Sequence, residues 1–221
     1  MSIITETSTR QRRLVLRHFM LDISARKQKP GAGSNLQALL KEEKITMKWW
    51  KEVVWLLQKN GITTAIAGGV GANSYMPPRQ TGDLDLAVAI SDLDKAAQIL
   101  KKAAWNFIGV LNLEHGLEGT GWKQGRNELD LLGLPGIWGE EALNEAQDNL
   151  LVAKLPTLSL SYLVIMKLIS ARAQDSADII KMLGAASEPE IDLVRQTVQR
   201  WLPDDAADFE QMVLFGKLEY Q

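Results

Sequence analysis

The first part of the chain has the apolar periodicity of helices. Apolar residues over 16–23 follow the i, i+3, i+4, i+7 spacing that predicts a helical arm. The breaker-rich run 29–34 ends this arm, and Ser34 then caps a short helix that reaches about Glu43. Helical periodicity resumes over 47–57, ahead of a glycine stop. The sequence therefore predicts two separate helices after the arm.

The middle of the chain alternates between short apolar runs and helical stretches. The predicted strands are 62–67, 84–89, 127–132 and 151–155, with further strands and hairpins across 106–134. The predicted helices are 70–75, 91–104 and 139–149. After Pro156 the pattern is helical to the end, with breaks near Gly184, Pro189 and Pro203.

This order of elements predicts an α+β fold. We expect a mixed β-sheet with flanking helices, followed by a helical C-terminal part and preceded by a helical N-terminal arm. The expected division is an arm over 1–45, an α/β core over 46–157 and a helical region over 158–221. Three tryptophans, Trp49, Trp50 and Trp55, are interpreted as core anchors, with a base-stacking platform as the alternative.

Composition limits the chemistry that the chain can perform. Its 221 residues include no cysteine, which excludes a disulfide scaffold, a thiolate zinc site and a cysteine nucleophile. The two histidines, His18 and His115, are far apart, so a multi-histidine metal centre is not expected. We interpret His115, which lies in a predicted turn, as structural or exposed. Any metal should be a hard, oxygen-liking ion such as Mg²⁺.

Charge is unevenly distributed. Residues 1–30 carry a net charge of +5, which leaves −7 for the rest of a chain whose total is −2. A basic arm indicates either a polyanion contact or docking on the acidic body, in the same copy or in a homodimer. No apolar stretch reaches the ~18 residues of a membrane span, and no secretory signal is visible. We expect a cytoplasmic protein without a membrane partner. A transit peptide is the alternative, disfavoured by Glu6 and Asp22.

The candidate chemistry lies between residues 65 and 86. Gly68 and Gly69 follow a predicted strand, where a sharp turn and a helix N-terminus would let phosphate approach the backbone. Asp83 and Asp85 stand at i and i+2 on the next predicted strand, so both carboxylates share one face. Two adjacent like charges repel unless a cation joins them. A divalent metal is the natural occupant, and Mg²⁺ commonly brings nucleotide phosphates with it.

The ordered combination resembles the nucleotidyltransferase superfamily. Ala67-Gly68-Gly69, then thirteen residues, then Asp83-Leu84-Asp85 matches that signature. The motif Arg79-x-Thr81-x-Asp83 is similar to that of the AbiEii-type toxin group and its bacterial relatives. A downstream match to the group's helical motif consists of Lys167, Arg172, Asp175 and Asp178.

The resemblance implies an enzyme that moves a nucleoside monophosphate from a nucleoside triphosphate to an acceptor hydroxyl, with Mg²⁺ or Mn²⁺. It implies Asp83, Asp85 and Asp130 as catalytic metal ligands, with Glu128 in reserve. It further implies that the nucleotide binds at Gly68, Gly69, Arg79, Lys167 and Arg172, with Asp175 and Asp178 as secondary candidates.

Plainer interpretations remain for several of these residues. Asp130 is alternatively an ordinary carboxylate at a strand edge, and Lys167 a snorkelling surface lysine. Arg172, Asp175 and Asp178 are alternatively paired on a helix surface. The sequence also departs from the pattern, because Ser161-Tyr162 stands where relatives have an acidic residue and the glycine turn lacks a hydroxyl.

Several functions remain open at this stage. The acceptor is an RNA end, a protein hydroxyl or a small molecule of the antibiotic type. A toxin would have an antitoxin as a partner. The competing class is a binding or scaffold protein that kept the fold and lost turnover.

Overall fold

The computed structural model describes residues 36–111, 113 and 116–219, with side chains from residue 47 onward. The predicted N-terminal arm, the Ser34 cap and the interpretation of His115 lie outside the described residues.

The described part of the chain begins with a long helix and continues with the strands of a mixed sheet and the helices between them. It ends with four helices. The helices are α1 (Leu36–Gln58), α2 (Gly68–Ala72), α3 (Leu93–Lys102), α4 (Gly136–Ala146), α5 (Leu160–Ser170), α6 (Ala173–Ala185), α7 (Glu188–Trp201) and α8 (Ala206–Glu219). The strands are β1 (Ala65–Ile66), β2 (Leu84–Ala89), β3 (Asn106–Leu111), β4 (Glu118–Gln124) and β5 (Asn127–Leu134). The predicted α+β fold class is confirmed.

The sheet has the order β1-β2-β5-β4-β3. Strands β2 and β5 are parallel neighbours, and every other adjacent pair is antiparallel. Because β5 follows the β3–β4 hairpin and returns beside β2, two strands that are distant in sequence run side by side. This pairing decides where the predicted site residues meet.

The two faces of the sheet differ in what they bury. Alternate residues of β2 and β5, such as Leu86 and Leu131, point into a core that also contains side chains of α1 and α3. The residues between them, such as Ala87 and Leu132, belong to a second core that includes α4 to α8. Period-two alternation places Asp85 and Asp130 on this second face.

Helix α1 corrects the prediction of two helices. It is continuous over Leu36–Gln58, because no glycine or proline interrupts that segment. The expected boundary between residues 45 and 46 therefore falls inside a helix. Trp50 is buried in the core, but Trp55 is 61% exposed and has the Lys59 ammonium 4.0 Å from its ring centre. The interpretation of all three tryptophans as core anchors is thus wrong for Trp55.

One predicted strand is shorter than expected, and another predicted strand is a turn. The strand predicted over 62–67 contains only Ala65–Ile66. The segment 151–155 is a tight turn in which Val152 and Leu155 form an isolated bridge. Ala153 and Lys154 have φ of 51° and 62°, a left-handed conformation that extended strand does not contain.

The helical end of the chain has a break that the sequence did not predict. Ala171 adopts φ 50° and ends α5, and its N–H donates to the Lys167 carbonyl oxygen. Lys167 and Asp178 therefore lie on different helices, although the helical pattern predicted after Pro156 has no break between them. None of the described helices combines the length and the apolar character needed to cross a membrane.

Candidate active site

Three carboxylates meet on one face of the sheet. The parallel register places Asp85 of β2 directly beside Asp130 of β5, and Asp83 lies one residue before β2. One carboxylate oxygen from each of the three lies within 4.8 Å of the others. Their number, spacing and hard oxygen donors fit Mg²⁺ or Mn²⁺. We call Asp83, Asp85 and Asp130 the carboxylate cluster.

The electrostatics of the carboxylate cluster favour a positive charge. Burial, together with the charges of Asp83 and Asp130, raises the pKa of Asp85 to about 7. Burial, together with the charges of Asp83 and Glu128, raises the pKa of Asp130 to about 6. Glu128 accepts a hydrogen bond from Lys123 at 2.5 Å and is outside the three-residue cluster. A bound cation would offset both the burial of these charges and their mutual repulsion.

The glycine pair is shaped around Asp85. A Cβ on Gly68 would lie 1.8 Å from Asp85 Oδ2, and Gly68 has φ +51°, so a side chain here is excluded by both space and backbone. The Gly69 N–H donates to the Asp85 carboxylate. Gly68 therefore leaves space for the Asp85 carboxylate and Gly69 donates a hydrogen bond to it, in addition to the phosphate approach predicted from the sequence.

Thr81 orients Asp83. Its hydroxyl donates to Asp83 Oδ1 at 2.9 Å. A Cβ on Gly69 would lie 2.9 Å from Thr81 Oγ1 and 3.3 Å from an Arg79 guanidinium nitrogen, so both side chains cover this glycine. Sequence reasoning gave Thr81 no role, although it stands within the quoted motif two residues before Asp83.

A second group of charges lies on α5 and α6. Lys167 is 5% exposed, and its ammonium donates to Asp175 Oδ1 at 2.8 Å and to Asp178 Oδ2 at 2.7 Å. Arg172 donates to Asp175 Oδ2 at 2.7 Å. Arg79, from before β2, donates two hydrogen bonds to Asp178, each 2.7 Å long. We call these five residues the ion-pair network.

The ion-pair network corrects two of the plainer interpretations. Lys167 does not snorkel, because its charge is buried against two carboxylates. Asp175 and Asp178 are 2% and 0% exposed, so they are not paired on a helix surface. Burial alone would raise the pKa of Asp178, but hydrogen bonds from Arg79 and Lys167 outweigh it and lower the pKa to about 2.

Further polar residues support the network, and sequence reasoning missed them. Gln174 donates to Asp178 Oδ1 at 2.9 Å. Asn73 holds the backbone of Arg79 on both sides, because its amide nitrogen donates to the Arg79 carbonyl oxygen and its amide oxygen accepts from the Arg79 N–H. Their partners are only four and six residues away, but neither residue belongs to the motifs that the sequence analysis used.

The carboxylate cluster and the network line one cavity of about 470 Å³. Most of the predicted site residues meet there, and Asp178 stands behind the lining as a partner of Arg79 and Lys167. Another part of the lining comes from β3 and the connection to β4. The described side chains of that part are apolar: Val110, Leu111, Leu113 and Leu117. The cavity thus joins charged and apolar surfaces.

Comparison with known proteins gives distant structural likenesses only. No family model matches the chain, and no curated protein matches it significantly. A solution structure of the antibiotic-resistance factor ANT(2'')-Ia is 12% identical with a TM-score of 0.47, covering 80% of this chain and 94% of that one. A crystal structure of ANT(2'')-Ia in complex with adenylyl-2''-tobramycin is 12% identical with a TM-score of 0.43, covering 80% and 99%. Likeness at this level transfers no residue roles.

Proposed function

We propose that this chain is a nucleotidyltransferase that moves a nucleoside monophosphate from a nucleoside triphosphate to an acceptor hydroxyl. The observation that carries the proposal is the convergence of Asp83, Asp85 and Asp130, with carboxylate oxygens within 4.8 Å of one another. The sequence resemblance described above supports it, because Asp83 and Asp85 occupy the positions of the superfamily signature and Asp130 is the candidate for its additional carboxylate.

Different residues of the chain would bind the metal and the phosphates in such a reaction. Asp83, Asp85 and Asp130 would hold Mg²⁺, which when bound offsets charge on the attacking and leaving oxygens. Arg172 is close enough to the cluster for its charge to affect Asp130 and to respond to Asp85. It could thus neutralise phosphate oxygens beside the metal ligands. Lys167 has one N–H left after its two carboxylate contacts, so its contribution to phosphate binding would be smaller than Arg172's.

The cavity favours a small-molecule acceptor over RNA. Its volume of about 470 Å³ lies within the ~300–1,000 Å³ of small-molecule sites. An RNA acceptor would need a basic surface that follows the phosphate backbone. The described part of the β3–β4 wall is apolar. The AbiEii-type toxin, with its antitoxin partner, remains the competing proposal and depends on the basic N-terminal segment for RNA contact.

The alternative of an inactive scaffold is less well supported. A protein without a cation to bind gains nothing from three carboxylates that repel one another in a half-buried site. Replacing them would be stabilising, so retaining them is more consistent with metal binding.

The experiment is an assay of pyrophosphate release with each of the four nucleoside triphosphates, Mg²⁺, and three acceptor pools: RNA, protein and hydroxyl-bearing small molecules. We expect release with one pool, and loss of at least about a hundredfold in Asp85→Asn and Asp130→Asn. Asp94→Asn, on the exposed side of α3, is the matched control and should keep full activity. Binding of nucleotide and Mg²⁺ without release in any pool would favour the scaffold instead.

A further inference from the structure

The segment that carries Asp83 has no regular structure of its own. Residues 79–83, which we call the Arg79 segment, connect α2 to β2 and lie outside every helix and strand. A metal ligand on such a segment needs other contacts to fix its position. The contacts that fix this segment come from Asn73, directly after α2, and from Asp178 of α6.

The backbone of the segment is attached to α2 through Asn73. The Asn73 amide nitrogen donates to the Arg79 carbonyl oxygen at 2.8 Å, and its amide oxygen accepts from the Arg79 N–H at 3.1 Å. Asn73 is itself buried, and its own N–H donates to the Gly69 carbonyl oxygen. The start of the segment is thereby fixed relative to the glycine turn.

The side chain of Arg79 is attached to α6 through Asp178, 99 residues away. Its Nε and one terminal nitrogen donate to the two oxygens of Asp178, a bidentate arrangement that fixes orientation as well as distance. Asp178 is 0% exposed and also accepts from Lys167 and Gln174. It is therefore a rigid attachment point that does not belong to the carboxylate cluster.

Thr81 connects the Arg79 guanidinium with Asp83, because it lies over the same glycine as the guanidinium and donates a hydrogen bond to Asp83. Arg79 and Thr81 lie together over Gly69, where a Cβ would be 3.3 Å and 2.9 Å from them. Thr81 in turn donates to Asp83 Oδ1. A displaced Arg79 would leave Thr81 without its neighbour above the glycine turn, and Asp83 would lose its orientation.

We propose that Asp178 and Arg79 are positioning residues for the divalent-cation site. Asp178 holds Arg79, and Arg79 holds the Arg79 segment so that Asp83 stands beside Asp85 and Asp130. This inference rests on the proposed function only in taking the carboxylate cluster as a cation site. It assigns the pair a role distinct from the phosphate contact that the sequence resemblance implies for Arg79.

A purely electrostatic role makes different predictions from a positioning role. The charge of Arg79 acts on Asp83, so removing this cation should by charge alone strengthen metal binding. Removing the Asp178 anion should by charge alone weaken it, and removing both should leave it near the wild-type value. Under positioning, each single loss weakens binding, and the second loss adds nothing to the first.

The experiment is calorimetric titration of the full chain with Mn²⁺ alone, at low temperature, with folding of each variant checked by circular dichroism. The variants are Arg79→Gln, Arg79→Lys, Asp178→Asn and the Arg79→Gln/Asp178→Asn pair. We expect each to bind Mn²⁺ about tenfold more weakly, within the ~10–100-fold seen for residues that support metal ligands. Arg79→Lys keeps the charge and loses the bidentate fork, so it isolates geometry from charge.

The matched control is Arg195→Gln, which removes the same charge from an ion pair between α7 and α8 and should leave Mn²⁺ affinity unchanged. Tighter binding in Arg79→Gln, or unchanged binding in Arg79→Lys, would overturn the positioning role while leaving the proposed function intact. A wild-type protein that binds no Mn²⁺ would overturn both. Because Arg79 is partly exposed, its variants keep the test decisive if Asp178→Asn does not fold.

Discussion

The carboxylate cluster and the ion-pair network use the same residue type in opposite ways. The cluster brings three aspartates together, and the pKa of Asp85 and of Asp130 is raised. The network alternates two aspartates with three cations, and the pKa of Asp175 and of Asp178 is lowered. Burial raises the pKa in all four cases, so the neighbouring charges decide the direction. The network pairs each of its carboxylates with cations, whereas the cluster consists of carboxylates alone.

The first prediction tests how strongly the ion-pair network stabilises the folded protein. Asp178→Asn should lower the free energy of unfolding by about 3–5 kcal/mol, because it leaves Arg79 and the buried Lys167 without their shared carboxylate. Urea denaturation at pH 7 in the absence of metal measures the change. Asp94→Asn, in the exposed first turn of α3, is the control and should change stability by no more than about 1 kcal/mol, the contribution of an acidic side chain at a helix N-terminus. A loss below 1 kcal/mol in Asp178→Asn would contradict the description of a tightly coupled network.

The second prediction tests whether the carboxylate cluster binds a divalent cation. Mg²⁺ or Mn²⁺ should raise the melting temperature of the wild-type protein, since a ligand at a hundred times its Kd adds about 2.7 kcal/mol. The shift should vanish in Asp85→Asn and in Asp130→Asn, and persist in Glu128→Gln, because Glu128 is paired with Lys123 outside the cluster. Differential scanning fluorimetry across a series of metal concentrations measures it. An equal shift in all variants would place the cation elsewhere.

The third prediction separates the two regions by pH in metal-free protein. The pKa of Asp178 is about 2, below the ~3.9 of an unfolded aspartate, so its stabilisation of about 2–3 kcal/mol is present above pH 4 and lost as the pH falls towards 2. The pKa of Asp85, about 7, is raised, so the folded state binds the extra proton and stability should fall as the pH rises from 4 to 7.

Unfolding free energies measured in chelator from pH 3 to pH 8 should therefore pass through a maximum near pH 4–5. Asp85→Asn should flatten the decline on the alkaline side and leave the acid side unchanged. A profile that rises steadily to pH 7 would show that the cluster does not repel as its spacing indicates.

The sequence predicted the members of the cluster better than it predicted the members of the network. Period two predicts that Asp83 and Asp85 share one face of a strand; β2 occupies the predicted limits 84–89 and includes Asp85, whereas Asp83 lies one residue before it. The approach of Asp130 depends on the parallel pairing of β2 with β5, which local patterns do not encode. The resemblance to a known signature suggested Asp130, and the structure brings it to the other two.

The network depended on features that leave no local signal. Ala171 ends α5 in a left-handed conformation without a glycine or proline to mark the break, so the sequence pattern predicts an uninterrupted helix between Lys167 and its partners. The contact between Arg79 and Asp178 joins residues 99 positions apart. The sequence also does not show why residue 68 must be glycine, because the group that leaves no room for a side chain there is the carboxylate of Asp85. Such tertiary contacts override what propensity and spacing can show.

The last and smallest prediction is a gain in stability from the substitution that destroys the cluster. Asp85→Asn removes one of three mutually repelling charges, keeps an oxygen that can accept from the Gly69 N–H, and conserves side-chain size beneath Gly68. We expect the unfolding free energy at pH 8 in chelator to rise by about 1 kcal/mol, the opposite sign to the same aspartate-to-asparagine change at Asp178. Urea denaturation of the two variants beside the wild-type protein makes the comparison direct. A gain that shrinks when the buffer is lowered to pH 5, where Asp85 is already protonated, would identify the charge of Asp85, which is both buried and repelled, as its cause. A loss of stability at both pH values would mean that the contacts of Asp85 outweigh the cost of its charge.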